Sequence, residues 1–532
     1  MATRNRIAIV ALTAAALGLL ILQSLLHGHL TGIDEYDDGV YLGSSLDLIH
    51  GIMPYRDFAF IQPPMAAVWL LPFAALSFLT GTAHALEAAR IFIDLIAAAN
   101  VAMVGLLVRR RPTPQVLVAM GVMAAYPATV MSAQTVLLEP LLVSGCLAGL
   151  LCLFDGNQVT ASRRRILAAG LLFGVAGATK LWAALPFAAA VLVTWPSGPM
   201  ARRRLVAGGA AGFLGCSLPF VIGSPAGFIQ QVFVIQAIRN GGGYPAAERL
   251  ADLTGLPGLY SLVFTHPAAG TVLLAAVIAA LAALCLIAFT GRGQPGPDAL
   301  DRFVLLATAA TAAGLLSSPT YYYHYAGLEA PFIAVLYAAL TTRLAGRFRV
   351  SWAAAVPLVV AGLMLGVRLD AIDSAPPPAQ VAAAFRGDIP VTGCVFATNP
   401  TVAILDDRFT ADVRGCPHVV DWLAQQRVLD HGLALHLSDV RNPVWQAELL
   451  RWIKSSAAIV ADTHNPGSDR VIMAYLRGHF HGEWSRGTRH YLYVRIDTAT
   501  EQTASRRGKL KLTPVRARRV AVRETGGGPP RA

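Results

Sequence analysis

Apolar runs of about 20 residues, separated by short polar loops, recur along most of this chain. A helix of that length crosses the ~30 Å hydrocarbon core of a membrane. The chain has 532 residues, of which 55% are hydrophobic and only 14% charged, too little charge to cover the surface of a soluble protein of this size. The sequence therefore predicts an α-helical polytopic membrane protein.

Hydropathy predicts about eleven membrane-spanning helices. They lie at roughly 7–27, 87–108, 114–131, 138–154, 166–180, 181–197, 205–222, 269–290, 302–318, 327–342 and 352–368. Every second loop carries an arginine cluster, and the positive-inside rule places these loops and the N-terminus in the cytoplasm. The segment 63–81 is interpreted as an interfacial or re-entrant helix, because a span there would put three arginine triplets outside.

The odd number of spans places everything after Arg368 outside, and the chain has three predicted parts. A transmembrane domain covers 1–370, and a small extracytoplasmic α/β domain with alternating strand and helix patterns covers 371–497. The basic tail, 498–532, has little to bury, so we expect it to be disordered. Cys394 and Cys416 both lie in the exported domain and are predicted to form a disulfide if they meet in space.

The loop after the first helix is acidic. It contains Asp34, Glu35, Asp37 and Asp38 within five positions. Packing like charges together costs energy unless a cation or a substrate hydroxyl uses them, and it raises the pKa of at least one. A solvated surface loop would have the same sequence, so the cluster alone predicts either such a loop or a general base or metal site.

The acidic loop opens a longer pattern. Asp37-Asp38-x-x-Tyr41 is followed by Gly51, Pro54-Tyr55-Arg56-Asp57-Phe58, Pro63-Pro64, Leu138-Glu139-Pro140, Gly174 with Thr179-Lys180, and Tyr322-Tyr323-His324-Tyr325 before Pro331. In this order, over roughly residues 1–370, the pattern resembles lipid-carrier-dependent glycosyltransferases of the C-type fold. That superfamily includes protein O-mannosyltransferases, the lipid A aminoarabinose transferase and actinobacterial mannosyl- and arabinosyltransferases. It usually has Asp-Glu where this chain has Asp37-Asp38.

The resemblance implies the C-type fold and an enzyme that moves a sugar, mannose or arabinose, from a polyprenyl-phosphate donor to an acceptor in the cell envelope. An aspartate would deprotonate the acceptor hydroxyl, with inversion at the anomeric carbon, while cations stabilise the departing phosphate. We expect Asp37 to be this base, with Asp38 and Asp34 as alternatives. Some family members use a divalent cation such as Mg²⁺ or Mn²⁺ and others do not, so the cofactor is left open and no metal ligand is assigned.

Six residues are candidates for substrate binding: Lys180, Arg239, Glu139, His324, Tyr325 and Arg56. Lys180 ends an otherwise apolar helix, where a charge is costly and usually functional, although a long lysine can also reach the interface. Arg239 in the second outer loop fits phosphate recognition, and a solvated charge explains it equally well. Glu139 at a helix start can simply interact with the helix dipole. An interfacial aromatic belt explains Tyr325 but not His324.

A secondary transporter, or a flippase for lipid or sugar, is the alternative from another class. It would account for the many helices and for Lys180, but it predicts internal repeats around a midplane site, which the sequence lacks. The sequence therefore favours a glycosyltransferase of the bacterial plasma membrane, with its active site outside. Its expected partners are a polyprenyl-phosphate-linked sugar, a glycan, glycolipid or protein acceptor, and membrane lipid, but no nucleic acid.

Overall fold

The computed structural model describes residues 2–26, 28–239, 243–257, 263, 266–290, 296–348, 389–390, 392–409, 415–433, 441–462, 468–485 and 490–496. Most of them are helical. The helices before residue 350 are Ala2–Leu26, Tyr36–Ile49, Met65–Val68, Leu71–Thr80, Thr82–Leu107, Thr113–Ala125, Pro127–Ala133, Glu139–Leu153, Arg163–Thr179, Ala184–Val193, Pro199–Gly223, Pro225–Phe228, Gln236–Ile238, Ala246–Thr254, Pro267–Thr290, Ala299–Ser317 and Ala330–Phe348.

Helices form at ten of the eleven predicted positions, and the eleventh, 352–368, lies outside the described residues. Within the described part of the chain, five helices are long and apolar enough to cross a membrane: Thr3–Leu25, Thr82–Leu107, Pro199–Gly223, Pro267–Thr290 and Ala299–Ser317. The pair Thr113–Ala125 and Pro127–Ala133 is bent by 53° and would make a sixth span. Proline at position 127 explains the bend, because it disfavours helical geometry in the residue before it. The segment 63–81 forms two short helices, Met65–Val68 and Leu71–Thr80, and its interfacial or re-entrant position stays a prediction.

Two of the arginine clusters, at Arg109–Arg111 and at Arg343, meet at one end of the helix bundle. Arg111 contacts Asp301 at 2.8 Å, and Arg343 contacts the same carboxylate at 2.7 Å. The side chain of Asn5, near the N-terminus, donates to the main-chain oxygens of Arg109 and Arg111. This grouping agrees with the predicted alternation of basic and neutral loops, whereas the assignment of that end to the cytoplasm stays a prediction.

Two helices pack backbone to backbone through glycines. A Cβ atom on Gly174 would lie 2.2 Å from the carbonyl oxygen of Gly209, and one on Gly170 would lie 2.2 Å from that of Leu205. Small residues spaced by four allow such close packing between membrane helices. The contact fixes helix Arg163–Thr179 against helix Pro199–Gly223, and Lys180 follows the last residue of the first of them.

The predicted second outer loop is largely helical. Pro225–Phe228 continues into a π-helix, Ile229–Ile235, and then into Gln236–Ile238. Gln231 of this segment accepts a hydrogen bond from the amide of Phe60 at 2.8 Å. Helices with π geometry are rare and occur often at functional sites. Here the segment holds the first outer loop and ends directly before Arg239.

The C-terminal part is a small α/β unit, as the sequence predicts. Its four strands lie in the sheet order Cys394–Ala397, Ser456–Ala461, His490–Arg495 and Phe480–Ser485, with the first pair parallel and the others antiparallel. Its helices are Pro400–Leu405, Trp422–Leu433, Pro443–Ser455 and Arg470–His479. Strand Phe480–Ser485 was not predicted. Cys394 and Cys416 form the predicted disulfide, with 5.3 Å between their Cα atoms.

Candidate active site

The acidic loop ends in a helix that hydropathy did not predict. This helix, Tyr36–Ile49, is called the acidic helix below, and it carries Asp37 and Asp38 in its first turn. Carboxylates are favourable there because the helix dipole is positive at the N-terminus. Its apolar residues form no long run, and this is why a search for membrane spans passes over it.

Asp37 is the half-buried carboxylate of the first turn. The hydroxyl of Tyr41, one helical turn later, donates to Asp37 Oδ2 at 3.0 Å. Asp37 also lies close enough to Arg239 and His324 for charge interactions with both. The preferred base therefore lies near two other predicted site residues that come from distant parts of the chain.

Asp38 has a structural environment. Its carboxylate is fully buried against the equally buried guanidinium of Arg90, which donates to Oδ2. Thr135 donates to the same oxygen, and the Thr401 hydroxyl lies 2.7 Å from Oδ1. With both oxygens engaged, Asp38 is not available to accept a proton, so the structure removes it from the alternative bases. The i,i+4 spacing of Arg90 and Asp94 predicts an ion pair within one helix. This prediction is wrong, because Arg90 pairs with Asp38 and Asp94 accepts a hydrogen bond from Ser24.

The other two acidic residues differ in their partners. Asp34 contacts His29 Nδ1 at 3.1 Å. Glu35, which was not among the candidate site residues, accepts a hydrogen bond from the hydroxyl of Tyr323 at 3.0 Å. Burial, with a contribution from the neighbouring Asp37 charge, raises the pKa of Glu35 from 4.5 to about 7. The clustering of acids in the sequence indicated that one pKa would be raised, but not which one.

Lys180, Arg239 and Tyr325 line one cavity of about 300 Å³. The ammonium of Lys180 lies 3.9 Å from the centre of the Tyr325 ring, and Arg239 Nη2 donates to the Tyr325 hydroxyl at 2.9 Å. The remaining lining is mostly apolar and includes Leu181, Trp182, Ala184, Leu185, Phe233 and Ala237. An apolar cavity with two cations at one wall suits an anionic head group that carries a hydrocarbon chain.

Glu139 and His324 lie beside these cations. Glu139 forms a buried ion pair with Lys180, and its Oε1 lies 4.0 Å from His324 Nε2. Within the described residues, Glu139 Oε2, Arg239 Nε and both ring nitrogens of His324 are buried without a hydrogen-bond partner. Buried polar atoms are normally satisfied, so this concentration of unsatisfied ones indicates a place for a polar ligand.

Arg56 lies elsewhere. Its guanidinium is half exposed and contacts the adjacent Asp57 at 2.7 Å. The preceding Tyr55 has a φ of 68° and donates its hydroxyl to the carbonyl of Gln62 at 2.7 Å. The structure thus brings together Asp37, Glu139, Lys180, Arg239, His324 and Tyr325, but not Arg56. Among the described residues no three His, Cys, Asp or Glu side chains form a group that could hold a metal ion.

Solved structures share this architecture, whereas no protein-family model and no curated protein sequence matches the chain. The fold is the one that these structures share, and it confirms the predicted C-type fold. One match is the crystal structure of ArnT, the aminoarabinose transferase, from Cupriavidus metallidurans bound to undecaprenyl phosphate. Its TM-score is 0.60 at 14% identity, over 92% of this chain and 98% of that chain. The apo state of the same protein gives a TM-score of 0.58 with the same identity and coverage.

Proposed function

We propose that this protein is a membrane glycosyltransferase that moves a sugar, mannose or arabinose, from a polyprenyl-phosphate donor to an acceptor of the bacterial cell envelope. The observation that carries the proposal is the convergence of Asp37, Lys180 and Arg239 from distant parts of the chain. Lys180 and Arg239 line one largely apolar cavity together with Tyr325, and Asp37 lies within range of a charge interaction with Arg239. Solvated loop charges have no reason to meet in this way.

The similarity of the fold to that of ArnT also supports the proposed donor. ArnT, whose structure covers nearly all of this chain, binds undecaprenyl phosphate, a polyprenyl phosphate. The cavity of this protein offers the chemistry that such a lipid needs, with cations for the phosphate and apolar walls for the first isoprene units.

The proposed reaction requires one proton transfer and one substitution. Asp37 accepts the proton of the acceptor hydroxyl as its oxygen attacks the anomeric carbon, a contribution of ~10²–10⁴-fold in rate. The bond between the anomeric carbon and the phosphate oxygen breaks, and polyprenyl phosphate leaves. Lys180 and Arg239 stabilise the negative charge that develops on that phosphate. The Tyr41 hydroxyl holds the Asp37 carboxylate in place through its hydrogen bond.

The first experiment compares two aspartates of the same loop. Asp37→Asn keeps the side-chain shape but removes the proton acceptor, so turnover should fall by ~10²–10⁴-fold. Asp34→Asn is the matched control and should keep most activity, because Asp34 contacts His29. The assay is transfer from a panel of polyprenyl-phosphate-linked sugars, including mannose and arabinose, by purified protein in lipid. Equal turnover in Asp37→Asn and the wild type would contradict the assignment of the base.

The second experiment separates binding from chemistry. Lys180→Ala should weaken undecaprenyl phosphate binding as well as turnover, whereas Asp37→Asn should leave binding nearly unchanged. Arg56→Ala is the matched control for loss of a cation, since Arg56 is exposed and paired with Asp57. Equal binding by Lys180→Ala and the wild type would contradict the phosphate site. Movement of the lipid across the membrane without sugar transfer would favour the flippase alternative.

The orientation of the site is part of the proposal and has its own test. A cysteine at Gly478, where an added Cβ would meet open space, should react with an impermeant thiol reagent applied from outside. A cysteine at the exposed Ser197, near the basic loops, should not react in intact cells. The opposite labelling pattern would place the acidic helix in the cytoplasm and overturn the proposed donor and acceptor.

A further inference from the structure

The first turn of the acidic helix is bridged from the C-terminal domain. The Thr401 hydroxyl accepts a hydrogen bond from the amide of Gly39 at 3.1 Å and lies 3.0 Å from the carbonyl oxygen of Glu35. Glu35 and Gly39 are four residues apart, which is the spacing of one α-helical hydrogen bond. Thr401 therefore touches both ends of the turn that carries Asp37.

The same hydroxyl reaches the side chain next to the proposed base. It lies 2.7 Å from Asp38 Oδ1, and because a hydroxyl has a single proton it donates either to this oxygen or to the Glu35 carbonyl. Asp38 is itself anchored by Arg90. The Glu35 side chain makes no capping hydrogen bond to its own helix.

The chain is adapted to this close approach. A Cβ atom at Gly39 would lie 2.2 Å from the main-chain nitrogen of Thr401, so only glycine lets the two segments touch. Glycine inside a helix is destabilising, and at position 39 the close contact with Thr401 offsets this cost. Thr401 is fully buried, and the side chain of Asn399 caps its short helix by accepting from the Thr401 amide at 3.1 Å.

We infer that Thr401 is a positioning residue, by which the C-terminal domain sets the geometry of the turn that carries Asp37. The inference rests on the proposed function, since it assigns to Asp37 the role of the base. Its physical basis is that the hydroxyl contacts Glu35, Asp38 and Gly39, on both sides of Asp37 in the chain, without touching Asp37 or the cavity. Misplacement of a reacting group by about 1 Å can cost ~10²-fold in rate.

The test compares three variants of purified full-length protein. Thr401→Val keeps the shape but removes the hydroxyl, and it should lower kcat by ~10–10²-fold while the dissociation constant of undecaprenyl phosphate stays unchanged. Thr401→Ser restores the hydroxyl and should recover most of kcat. Thr82→Val is the matched control. The Thr82 hydroxyl donates to the carbonyl of Ile404 at 2.6 Å, and Ile404 lies in the same short helix as Thr401, but this bond does not involve the acidic helix.

The outcomes separate the possible failures. A wild-type kcat in Thr401→Val, or an equal loss in Thr82→Val, would overturn the positioning role while leaving the proposed function intact. If Thr401→Val binds no undecaprenyl phosphate, the Gly39→Ala variant tests the positioning role instead. It keeps the Thr401 hydroxyl but pushes the acidic helix and the helix of Thr401 apart. Retained binding with a reduced kcat in Gly39→Ala supports the inference, and an unchanged kcat overturns it. A wild-type protein that transfers no sugar from any polyprenyl-phosphate donor would remove both proposals.

Discussion

Replacing Asp38 by asparagine should destabilise the protein far more than the same change at Asp37. Both partners of the Asp38–Arg90 pair have side chains with 0% exposure. The asparagine variant keeps the volume but leaves the guanidinium with neutral acceptors only, among them the main-chain oxygens of His29, Leu30 and Gly32. Breaking a buried ion pair by removal of one partner costs ~3–5 kcal/mol. We therefore expect the free energy of unfolding to fall by that amount.

Asp37 provides the comparison. Its half-buried carboxylate accepts a hydrogen bond from Tyr41, and losing one such bond costs about 1 kcal/mol. The two variants should therefore differ in the property that each one loses. Asp38→Asn should lose stability, and Asp37→Asn should lose turnover. Denaturant unfolding of the purified proteins measures the first quantity. The double variant Arg90→Met/Asp38→Leu removes both charges and should recover part of the loss. If Asp38→Asn and Asp37→Asn proved equally stable, the structural role given to the buried pair would be refuted.

Three further predictions follow from other parts of the structure. Because the pKa of Glu35 is raised to about 7 from 4.5 in the unfolded chain, its contribution stabilises the fold at pH 4.5 and is lost as the pH rises to about 7. Glu35→Gln should remove a pH dependence of roughly 3 kcal/mol, measured by unfolding across this range. Gly174→Leu should force two helices apart, cost ~1–3 kcal/mol and weaken undecaprenyl phosphate binding through Lys180, whereas Gly215→Leu, where a Cβ meets open space, should not. Loss of the disulfide through Cys394→Ser should lower the free energy of unfolding by ~3 kcal/mol, and added reductant should then have no further effect on the variant.

Hydropathy located the membrane helices because each one depends on a local apolar run, which the sequence displays directly. The side-chain partners were harder to predict. The i,i+4 spacing of Arg90 and Asp94 suggested a pair within one helix, but Arg90 binds Asp38, which lies 52 residues earlier in the chain. Thr401 gave no signal at all, since its contact with Gly39 spans 362 residues. Local spacing rules do not register such contacts, which arise only when the helices and the C-terminal domain pack together.

The most distant site residues were nevertheless predictable through chemistry. Lys180 was singled out because a charge at the end of an apolar helix is costly, and the structure puts it in the cavity. Arg56 does not join the other predicted site residues. A sequence motif in a loop does not show the direction of a side chain, and the Arg56 side chain, next to Tyr55 with its positive φ, is half exposed. The sequence did not single out Glu35 from the other acidic residues of the loop. Its pKa is raised by burial, and burial depends on tertiary structure.

The bridge between Thr401 and the acidic helix also has a consequence for biosynthesis. The chain is made from its N-terminus at ~5–20 residues per second, so Thr401 follows Gly39 out of the ribosome by about 20–70 s. During that interval the acidic helix and its Arg90 partner already exist, but the turn that carries Asp37 is not yet bridged. If the proposed function holds, a chain that stalls after its membrane helices should therefore transfer sugar more slowly than the full chain, because the turn that carries Asp37 is not held in place.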